Sequence, residues 1–462
     1  MKEGEPVGQA PMMGLEEAAR AVGGVASGDA RFSGVTTDSR RIDAGDLFVA
    51  LAGERFDGHA YVADAIGHGA AAALVSRRIE AEPPIPQVVA DDSRLALGRL
   101  AAYWRRRFAL PLAALTGSNG KTTVKEMIAA ILAVHAGSRD AVLATEGNLN
   151  NDIGMPVTLL RLRGQHRYAV IEMGMNHEGE IDYLTRIAAP TVALVNNAQR
   201  AHVGILGSVE AIARAKGEIY AGLPASGIAV VNADDAFAGY WEKLNAGRRI
   251  VTFGFEGAAQ VRASANGSQV RFFTPAGSIG VDLRVPGEHN VRNAMAACAV
   301  AFALDVPLAA IGEGLSGFDG VPGRLQKRVT PGGAVLIDDT YNANPESMKA
   351  ALRVLAAQRS RKVFVMGDMG ELGGGAGAMH AEVGEFARQN GIDALLALGD
   401  ASREAVRAFG AGGVHFTGME PLVAAARGED RPGTSILVKG SRFMQMERVA
   451  DALAAREPRR AV

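Results

Sequence analysis

Residues 115–123, Leu-Thr-Gly-Ser-Asn-Gly-Lys-Thr-Thr, constrain the fold of this chain more than any other segment. They follow an apolar run at 109–116 that is typical of a buried strand, and they open a helical pattern at 121–135. Backbone N–H groups at a helix start point outward and attract anions. A strand, a glycine-containing turn and a helix in this order therefore predict a phosphate-binding loop.

The loop departs from the usual phosphate-binding pattern, because Leu115 stands where a glycine is expected five places before Gly120. The alternative is a plain strand–turn–helix junction in which Ser and Thr only cap the helix. If the loop binds phosphate, Lys121 neutralises phosphate oxygens and Thr122 reaches a magnesium ion. The expected nucleotide-binding residues are Gly117, Ser118, Asn119, Gly120, Lys121, Thr122 and Thr123.

Strand and helix patterns alternate after this loop, which predicts a doubly wound parallel sheet. The predicted strands are 168–173, 191–196 and 227–232, with a helix at 208–223. Residues 254–286 lack a helical pattern and predict antiparallel ribbon, and 289–304 predicts a helix. The central part of the chain is therefore expected to be a P-loop ATPase-like domain.

The patterns on either side predict two further α/β domains. After Pro322-Gly323, a plausible hinge, strands are predicted at 334–338, 363–366, 394–398 and 435–438, as in a Rossmann-like domain. Short strands at 34–37, 47–50 and 72–75, with helices at 61–66 and 94–107, predict a small N-terminal domain. The expected fold is α/β with three domains, 1–108, 109–322 and 323–462, which suits about 150 residues per domain.

Composition excludes several classes of protein. The chain has 49 Lys and Arg residues and 50 Asp and Glu residues. It therefore lacks the net positive charge that would indicate nucleic acid or a membrane surface as a partner. The single cysteine, Cys298, suits a reducing compartment. The first ten residues carry acids where a secretion signal carries positive charge, and they predict a loose tail. We expect a cytoplasmic protein.

Three residues beyond the loop are candidates for metal binding. Glu172 ends a predicted strand, and strand ends line the ligand crevice of a parallel sheet. His202 precedes the predicted helix at 208–223, and Lys216 lies within the apolar stripe of that helix. Each has an ordinary alternative: a solvated carboxylate, a structural histidine, or a lysine that extends to solvent.

Lys216 needs a chemical change before it can bind a metal. A protonated amine has no lone pair, so the side chain must be neutral or must have captured carbon dioxide as a carbamate, which supplies oxygen donors. Burial lowers a lysine pKa and makes this capture possible. Glu172, His202 and a carbamylated Lys216 would then form an oxygen and nitrogen shell beside the loop.

At this point the chain resembles the Mur ligases, ATP-dependent amide-forming enzymes of peptidoglycan synthesis. In that family the shortened loop is normal. The resembling segments are 116–123 (TGSNGKTT), Glu172, 201–203 (AHV), 215–218 (AKGE), 289–293 (HNVRN), 323–325 (GRL) and 339–345 (DTYNANP).

The resemblance implies the remaining site residues. Asn290 and Asn293 would read adenine, although they could only cap a helix, while Arg324 and Asp339 would contact ATP from the last domain. Ser39 and Arg40 would bind the UDP end of the precursor. Two amide-rich segments would meet the peptide substrates, with ordinary turns as the alternative; they contain Asn148, Asn150, Asn151, Asn342 and Asn344.

Within the family, segments 339–348, 367–372 and 437–442 resemble the member that adds D-alanyl-D-alanine to UDP-N-acetylmuramoyl-tripeptide. This implies ATP, two magnesium ions, an acyl-phosphate intermediate and a monomer, with Lys121, Lys216, His202 and Glu172 as catalytic residues. The alternatives are the sister ligase that adds the third, diamino, residue and a non-enzymatic nucleotide switch. A folate-type polyglutamate ligase shares the central fold but lacks the first domain.

Overall fold

The computed structural model describes residues 11–54, 56–256 and 258–455. The tail expected at residues 1–10 lies outside the described residues. The chain forms three α/β units in sequence order, each built on its own sheet. No helix in the described part of the chain is long and apolar enough to cross a membrane.

The N-terminal unit contains a five-stranded sheet whose first strand pair is antiparallel and whose other pairs are parallel. Its strands, in spatial order, are Val25–Ser27, Gln87–Val89, Ala72–Val75, Asp46–Val49 and Gly34–Thr36. Its helices are Leu15–Val22, Val62–Gly67 and Ser93–Arg105, with a 3-10 turn at Gly58–Tyr61. Two small ribbons pair Met13–Gly14 with Arg31–Phe32 and Ala52–Gly53 with Phe56–Asp57.

The central unit contains a six-stranded sheet in which every pair is parallel. Strands of this kind are covered on both faces, which explains the continuous apolar runs in the sequence. In spatial order they are Val142–Ala144, Tyr168–Glu172, Leu112–Thr116, Val192–Val195, Ile228–Asn232 and Arg249–Phe253. The two outermost strands, Val142–Ala144 and Arg249–Phe253, were not predicted from the sequence.

Helices cover both faces of this sheet, and an antiparallel ribbon follows it. The helices are Lys121–Ala136, Gly154–Leu160, Glu180–Ala188, Val203–Leu206, Val209–Gly217, Ala238–Leu244, Glu288–Ala303 and Leu308–Ser316, with 3-10 turns at Arg139–Ala141 and Glu218–Gly222. The ribbon consists of Arg262–Asn266, Gln269–Thr274 and Gly277–Asp282, as predicted for 254–286.

The helix predicted at 208–223 is shorter than expected. It runs as Val209–Gly217 and then tightens into the 3-10 turn Glu218–Gly222. The Glu218 carboxylate accepts hydrogen bonds from the N–H groups of Gly179 (2.8 Å) and Asp182 (3.1 Å), which anchors the chain at this point. The apolar stripe nevertheless stays buried across the change of helix type, as periodicity predicted.

The C-terminal unit has a six-stranded sheet that is parallel except for its first strand pair. The spatial order is Gln326–Val329, Val335–Asp339, Thr434–Lys439, Arg361–Gly367, Ala394–Leu398 and Gly413–Phe416. Its helices are Pro345–Ala356, Ala376–Gln389, Ser402–Phe409, Met419–Gly428 and Glu447–Ala454, with 3-10 turns at Gly373–Gly375 and Arg442–Met444.

Apolar packing joins the first two units more closely than the last two. One buried cluster runs from Leu97 and Trp104 in the N-terminal unit to Leu159 and Ile187 in the central unit. The C-terminal unit has buried clusters of its own on the two faces of its sheet. Half-buried Val203 packs against both the first cluster and a C-terminal one.

Candidate active site

A cleft of about 1620 Å³ lies between the central and C-terminal units, at the carboxyl ends of the central strands. It brings together side chains from segments more than 200 residues apart in the chain, including the phosphate loop and Asp339. The predicted site residues that line it are Ser118, Asn119, Gly120, Lys121, Thr123, Asn148, Asn150, Asn151, Glu172, His202, Lys216, Asn290, Asn293, Arg324, Asp339, Asn342 and Asn344.

Four predicted residues do not line this cleft. Gly117 and Thr122 belong to the loop itself, and the Thr122 side chain is turned toward Arg324, whose Nη2 donates to Thr122 Oγ1 at 3.1 Å. Ser39 and Arg40 lie in the N-terminal unit, where Ser39 is half-buried and Arg40 is exposed. Arg40 is held there by Asp38, with 2.9 Å between Arg40 Nε and Asp38 Oδ1.

The phosphate loop has the backbone that its glycines permit. Leu115 is fully buried within the strand Leu112–Thr116, so the loop proper begins at Gly117. Gly120 adopts a left-handed φ of 79° immediately before the helix Lys121–Ala136. A Cβ atom at Gly120 would lie 2.3 Å from Asn293 Oδ1, so the turn also needs glycine for space.

Lys121 is directed back over the loop, with its Nζ donating to the Gly117 carbonyl at 2.7 Å. Burial lowers the pKa of Lys121, while the nearby Glu172 carboxylate opposes that shift. Arg324 reaches the same end of the loop from the C-terminal unit. Its guanidinium lies 3.8 Å from the centre of the Tyr341 ring, which holds it in a cation–π contact. Two cations thus converge where phosphate would bind.

Glu172 presents one free carboxylate oxygen to the cleft. The side chain is 2% exposed, and its Oε1 accepts a hydrogen bond from Asn150 Nδ2 at 2.8 Å. The buried Oε2 has no hydrogen-bond partner among the described residues. A buried carboxylate oxygen without a donor is unfavourable unless a cation or water supplies the missing contact.

His202, which lines the same cleft as Glu172 and Lys216, has an unusual backbone conformation. Its φ is 64°, in the left-handed region that few non-glycine residues adopt. Its Nδ1 lies 2.7 Å from Glu371 Oε2 in the C-terminal unit, an ion-pair distance that lacks the angles of a hydrogen bond. The contact with His202 lowers the pKa of Glu371.

Lys216 is a buried amine. It is 1% exposed, and no hydrogen bond or ion pair involves its Nζ within residues 11–54, 56–256 and 258–455. Burial lowers the pKa of Lys216 well below its usual value, and the positive charge of Lys121 lowers it further. Both effects shift the amine toward its neutral form, which is the form that reacts with carbon dioxide.

These donors suit magnesium better than a softer metal, because they are carboxylate and hydroxyl oxygens with one imidazole. In the described ranges, no three His, Cys, Asp or Glu side chains are grouped closely enough to hold a metal by themselves. The predicted shell has only two residues of those types, Glu172 and His202. It therefore depends on Lys216, in carbamate form, for a third ligand of the same kind.

The predicted adenine side is an amide network at the start of the helix Glu288–Ala303. Asn293 Oδ1 accepts from Asn196 Nδ2 at 3.2 Å, and Asn293 Nδ2 donates to Asn290 Oδ1 at 3.2 Å. Asn290 does not cap the helix; its Nδ2 donates to the Pro286 carbonyl at 2.8 Å. Helix capping therefore does not explain these two amides.

Two other asparagines do have local structural roles. Asn344 caps the helix Pro345–Ala356, and the capping box is completed by Ser347. Asn151 Oδ1 accepts from the Gly154 N–H at 2.9 Å, at the start of the helix Gly154–Leu160. Asn344 also meets the phosphate loop, where its Nδ2 donates to Asn119 Oδ1 at 2.8 Å.

Sequence reasoning assigned no role to Glu371 or Lys439, which also line the cleft. Lys439 Nζ lies 2.6 Å from Asp339 Oδ2 and donates to the Asn342 carbonyl at 2.8 Å. Burial raises the pKa of Asp339 and lowers that of Lys439. The sequence did contain a signal for this pair, because Asp339 and Lys439 each end an apolar strand. The two strands are neighbours in the sheet, and these two residues are partners in register.

Three family models match the chain in order. Residues 31–105 match the Mur ligase family catalytic domain, 115–301 the Mur ligase middle domain, and 323–442 the Mur ligase glutamate ligase domain. UDP-N-acetylmuramoyl-tripeptide–D-alanyl-D-alanine ligase of Escherichia coli K12 is 43% identical over 92% of this chain and 94% of its own length.

Solved structures give the same result. A crystal structure of MurF from Acinetobacter baumannii has a TM-score of 0.89 at 40% identity and covers 96% of this chain and 100% of its own. MurF ligase from Thermotoga maritima, in complex with ADP, has a TM-score of 0.78 at 26% identity and covers 91% and 97%. Family, fold and motif order agree along nearly the whole chain, and the chain belongs to the Mur ligase family.

Proposed function

We propose that this protein joins D-alanyl-D-alanine to UDP-N-acetylmuramoyl-tripeptide at the expense of ATP. The observation that carries the chemistry is one cleft that holds the phosphate loop, Glu172, His202 and Lys216 and is closed by Arg324. The substrate assignment is supported by relatives that carry this ligase name and align over more than nine-tenths of the chain.

The reaction needs activation because a carboxylate is a poor acylating agent. The tripeptide's terminal carboxylate takes the γ-phosphoryl group of ATP, which yields an acyl phosphate and ADP. The free amine of the dipeptide then attacks the acyl carbon, and the tetrahedral intermediate collapses as the C–O bond to phosphate breaks. The amine loses a proton, and the products are an amide and inorganic phosphate.

The loop and two cations provide for the nucleotide. Backbone N–H groups of residues 117–123 surround the phosphates, and Lys121 offsets charge that develops on the transferred group. In this role Lys121 exchanges its contact with the Gly117 carbonyl for phosphate oxygens. Arg324 adds a second positive charge from the opposite wall, while Asn290 and Asn293 face the adenine and Asp339 faces the ribose or phosphates.

Thr122, Glu172, His202 and Lys216 would hold magnesium, with two ions expected. Bound there, magnesium would supply positive charge that reduces the repulsion between the two anionic reactants. The free Oε2 of Glu172 supports this assignment. Asn150 restrains the Glu172 side chain through its hydrogen bond to the other carboxylate oxygen, Oε1.

We further propose that Lys216 carries a carbamate. The neutral amine attacks carbon dioxide, a C–N bond forms, and one proton leaves to solvent. The product replaces a potential cation with an anion that has two oxygen donors. Burial of Lys216, its lowered pKa and the absence of a partner for Nζ among the described residues support this proposal.

The peptide substrates meet the remaining asparagines. Asn148, Asn150 and Asn151 face the muramoyl peptide, Ser39 and Arg40 bind its UDP end, and Asn342 and Asn344 face the dipeptide. We propose a monomeric enzyme of the cytoplasm, where a lone thiol such as Cys298 stays reduced. The three domains run 1–108, 109–322 and 323–462.

A coupled phosphate-release assay tests the function. Phosphate should appear only when ATP, the UDP-tripeptide and D-alanyl-D-alanine are all present. Release that continues unchanged without the dipeptide contradicts the ligase, and would favour a nucleotide switch. Release with L-lysine or diaminopimelate on the UDP-dipeptide, in place of this pair, would identify the sister ligase.

A further inference from the structure

One segment of the central unit touches both the phosphate loop and the C-terminal unit. Residues 196–204, here called the bridging segment, follow the strand Val192–Val195 and carry His202. Half-buried Val203 contributes to apolar clusters in both units. The segment is therefore placed to link the position of the C-terminal unit to the geometry of the site.

The first half of the bridging segment holds the phosphate loop. Asn197 accepts the Ser118 N–H at its carbonyl (3.0 Å) and the Asn119 N–H at its Oδ1 (2.9 Å). Gln199 donates its N–H to Ser118 Oγ at 2.8 Å, and its Oε1 accepts from Asn119 Nδ2 at 2.6 Å. Movement of this half would change the backbone donors that the loop offers to phosphate.

Arg200 attaches the same segment to the C-terminal unit. Its Nη1 and Nη2 donate to the two carboxylate oxygens of Glu382 at 2.8 and 3.0 Å, and its Nε donates to Glu346 Oε1 at 2.5 Å. The Arg200 side chain is 28% exposed, so the pairs are shielded from solvent more than ordinary surface pairs. A planar fork of this kind fixes orientation as well as distance.

The second half of the segment makes a backbone contact with the C-terminal unit. Gly204 N–H donates to the Glu371 carbonyl at 2.9 Å. A Cβ atom at Gly204 would lie 2.3 Å from the Gly373 nitrogen, so the two chains meet where only glycine fits. His202 lies between this contact and Arg200, and its left-handed φ of 64° needs support from both sides.

We propose that Arg200 is a positioning residue. By binding Glu346 and Glu382, Arg200 holds the bridging segment in place. His202 and the phosphate loop then take their working geometry only when the C-terminal unit is docked. This inference rests on the proposed function, because the geometry in question serves phosphoryl transfer to a carboxylate. Arg200 itself contacts no reacting atom in this assignment.

Kinetics provide the first test. Arg200→Ala should lower kcat about tenfold and raise the KM for ATP, while the KM for the UDP-tripeptide stays within about twofold. Glu382→Ala should cause a smaller loss of the same kind, because Arg200 keeps its contact with Glu346. Arg200→Ala/Glu382→Ala should be no worse than Arg200→Ala, since Arg200→Ala already breaks the Arg200–Glu382 contact. A kcat within twofold of wild type for Arg200→Ala, or fully additive losses, overturns the proposal.

The matched control is Arg186→Ala. Arg186 lies in the same unit and donates to Asp182 at 2.8 Å, but its pair is exposed and lies within one helix. It should leave kcat and both KM values unchanged. Glu382→Gln keeps the side-chain shape, and should give a smaller loss than Glu382→Ala, so that the proposal stays testable if a truncated variant folds poorly.

Small-angle X-ray scattering gives a readout independent of turnover. With a non-hydrolysable ATP analogue, Arg200→Ala should have a larger radius of gyration than wild type or Arg186→Ala, because its C-terminal unit docks less fully. Equal radii contradict the proposal. If the wild-type protein releases no phosphate, the ligase function is contradicted instead. The scattering comparison still tests the role of Arg200 in that case.

Discussion

The central unit meets its two neighbours through surfaces of opposite character. On the N-terminal side the contact is mainly apolar: Trp104 is 6% exposed within a continuous cluster, and its Nε1 donates to the Leu162 carbonyl at 3.0 Å. On the C-terminal side the contacts are amides and charges, such as Asn119 with Asn344 and Arg200 with Glu382. The contact with the N-terminal unit buries apolar side chains, whereas the contact with the C-terminal unit surrounds a cleft.

The difference has a physical consequence. When two apolar surfaces separate, all of the free energy gained by burying them is lost. The N-terminal and central units should therefore behave as one body. Polar groups at a partly solvated interface exchange their partners for water at little net cost. The C-terminal contact can therefore open to admit substrates and release products, whereas the N-terminal contact serves as a fixed support.

The largest expected effect is at Lys216, which tests whether buried groups of the cleft serve chemistry rather than stability. Lys216→Ala should lower turnover about 10³-fold, because the proposed carbamate ligand to magnesium is lost. Formate or acetate should restore part of the activity by occupying the space of the proposed carbamate. Phosphate-release assays measure both effects.

Lys216→Met is the matched control for that experiment. Methionine fills the space, so small carboxylates should not rescue it. Its free energy of unfolding should equal or exceed that of wild type, since a buried amine without a partner is unfavourable. Full activity of Lys216→Ala would exclude the carbamate.

Trp104 tests the opposite side. Trp104→Ala should lower the free energy of unfolding by about 3 kcal/mol, since it removes a large buried ring from the shared cluster. The folded fraction should keep nearly normal kcat. Trp104→Phe retains the ring and loses the hydrogen bond to Leu162, so it should cost about 1 kcal/mol. Urea unfolding measures both; separate transitions for the N-terminal and central units, apart from that of the C-terminal unit, would argue against a single N-terminal and central body.

Arg324 tests the polar side through the nucleotide. Arg324→Ala should lower kcat/KM for ATP about 30-fold, or about 2 kcal/mol, without changing urea stability. Arg324→Lys keeps the charge but loses the planar contact with Tyr341, so it should recover only part of that loss. A large fall in unfolding free energy for Arg324→Ala would show that this contact, too, is structural.

The smallest effect is a pH dependence of docking. Hydrogen bonds from Arg200 and, secondarily, from Lys349 hold the pKa of Glu382 at about 2, below its ordinary 4.5. A depressed pKa stabilises the docked form above pH 4.5, and this contribution is lost as pH falls toward 2. Scattering between pH 5 and about 3 should show the C-terminal unit loosening first. Glu382→Gln should lack this pH-dependent contribution to docking. A pH profile of Glu382→Gln identical to that of wild type would contradict the assignment.

Local patterns predicted much of the fold and part of the site. Apolar runs identified Leu112–Thr116 and Ala394–Leu398 because parallel strands are covered on both faces. The buried position of Lys216 followed from 3.6-residue periodicity. Three-residue Val142–Ala144 has too little pattern to be read, and the helix break after Gly217 depends on hydrogen bonds from a neighbouring helix start.

What the sequence by itself determined is local: the strand, the shortened loop, the helix after it, and residue types that suit phosphate and magnesium. The tertiary structure alone decided which side chains meet. Glu371 reaches His202, Lys439 reaches Asp339, and Arg200 reaches Glu382 over separations of about 100 to 182 residues. Contacts of that range depend on how whole sheets and helices pack, and no short pattern in the chain encodes them.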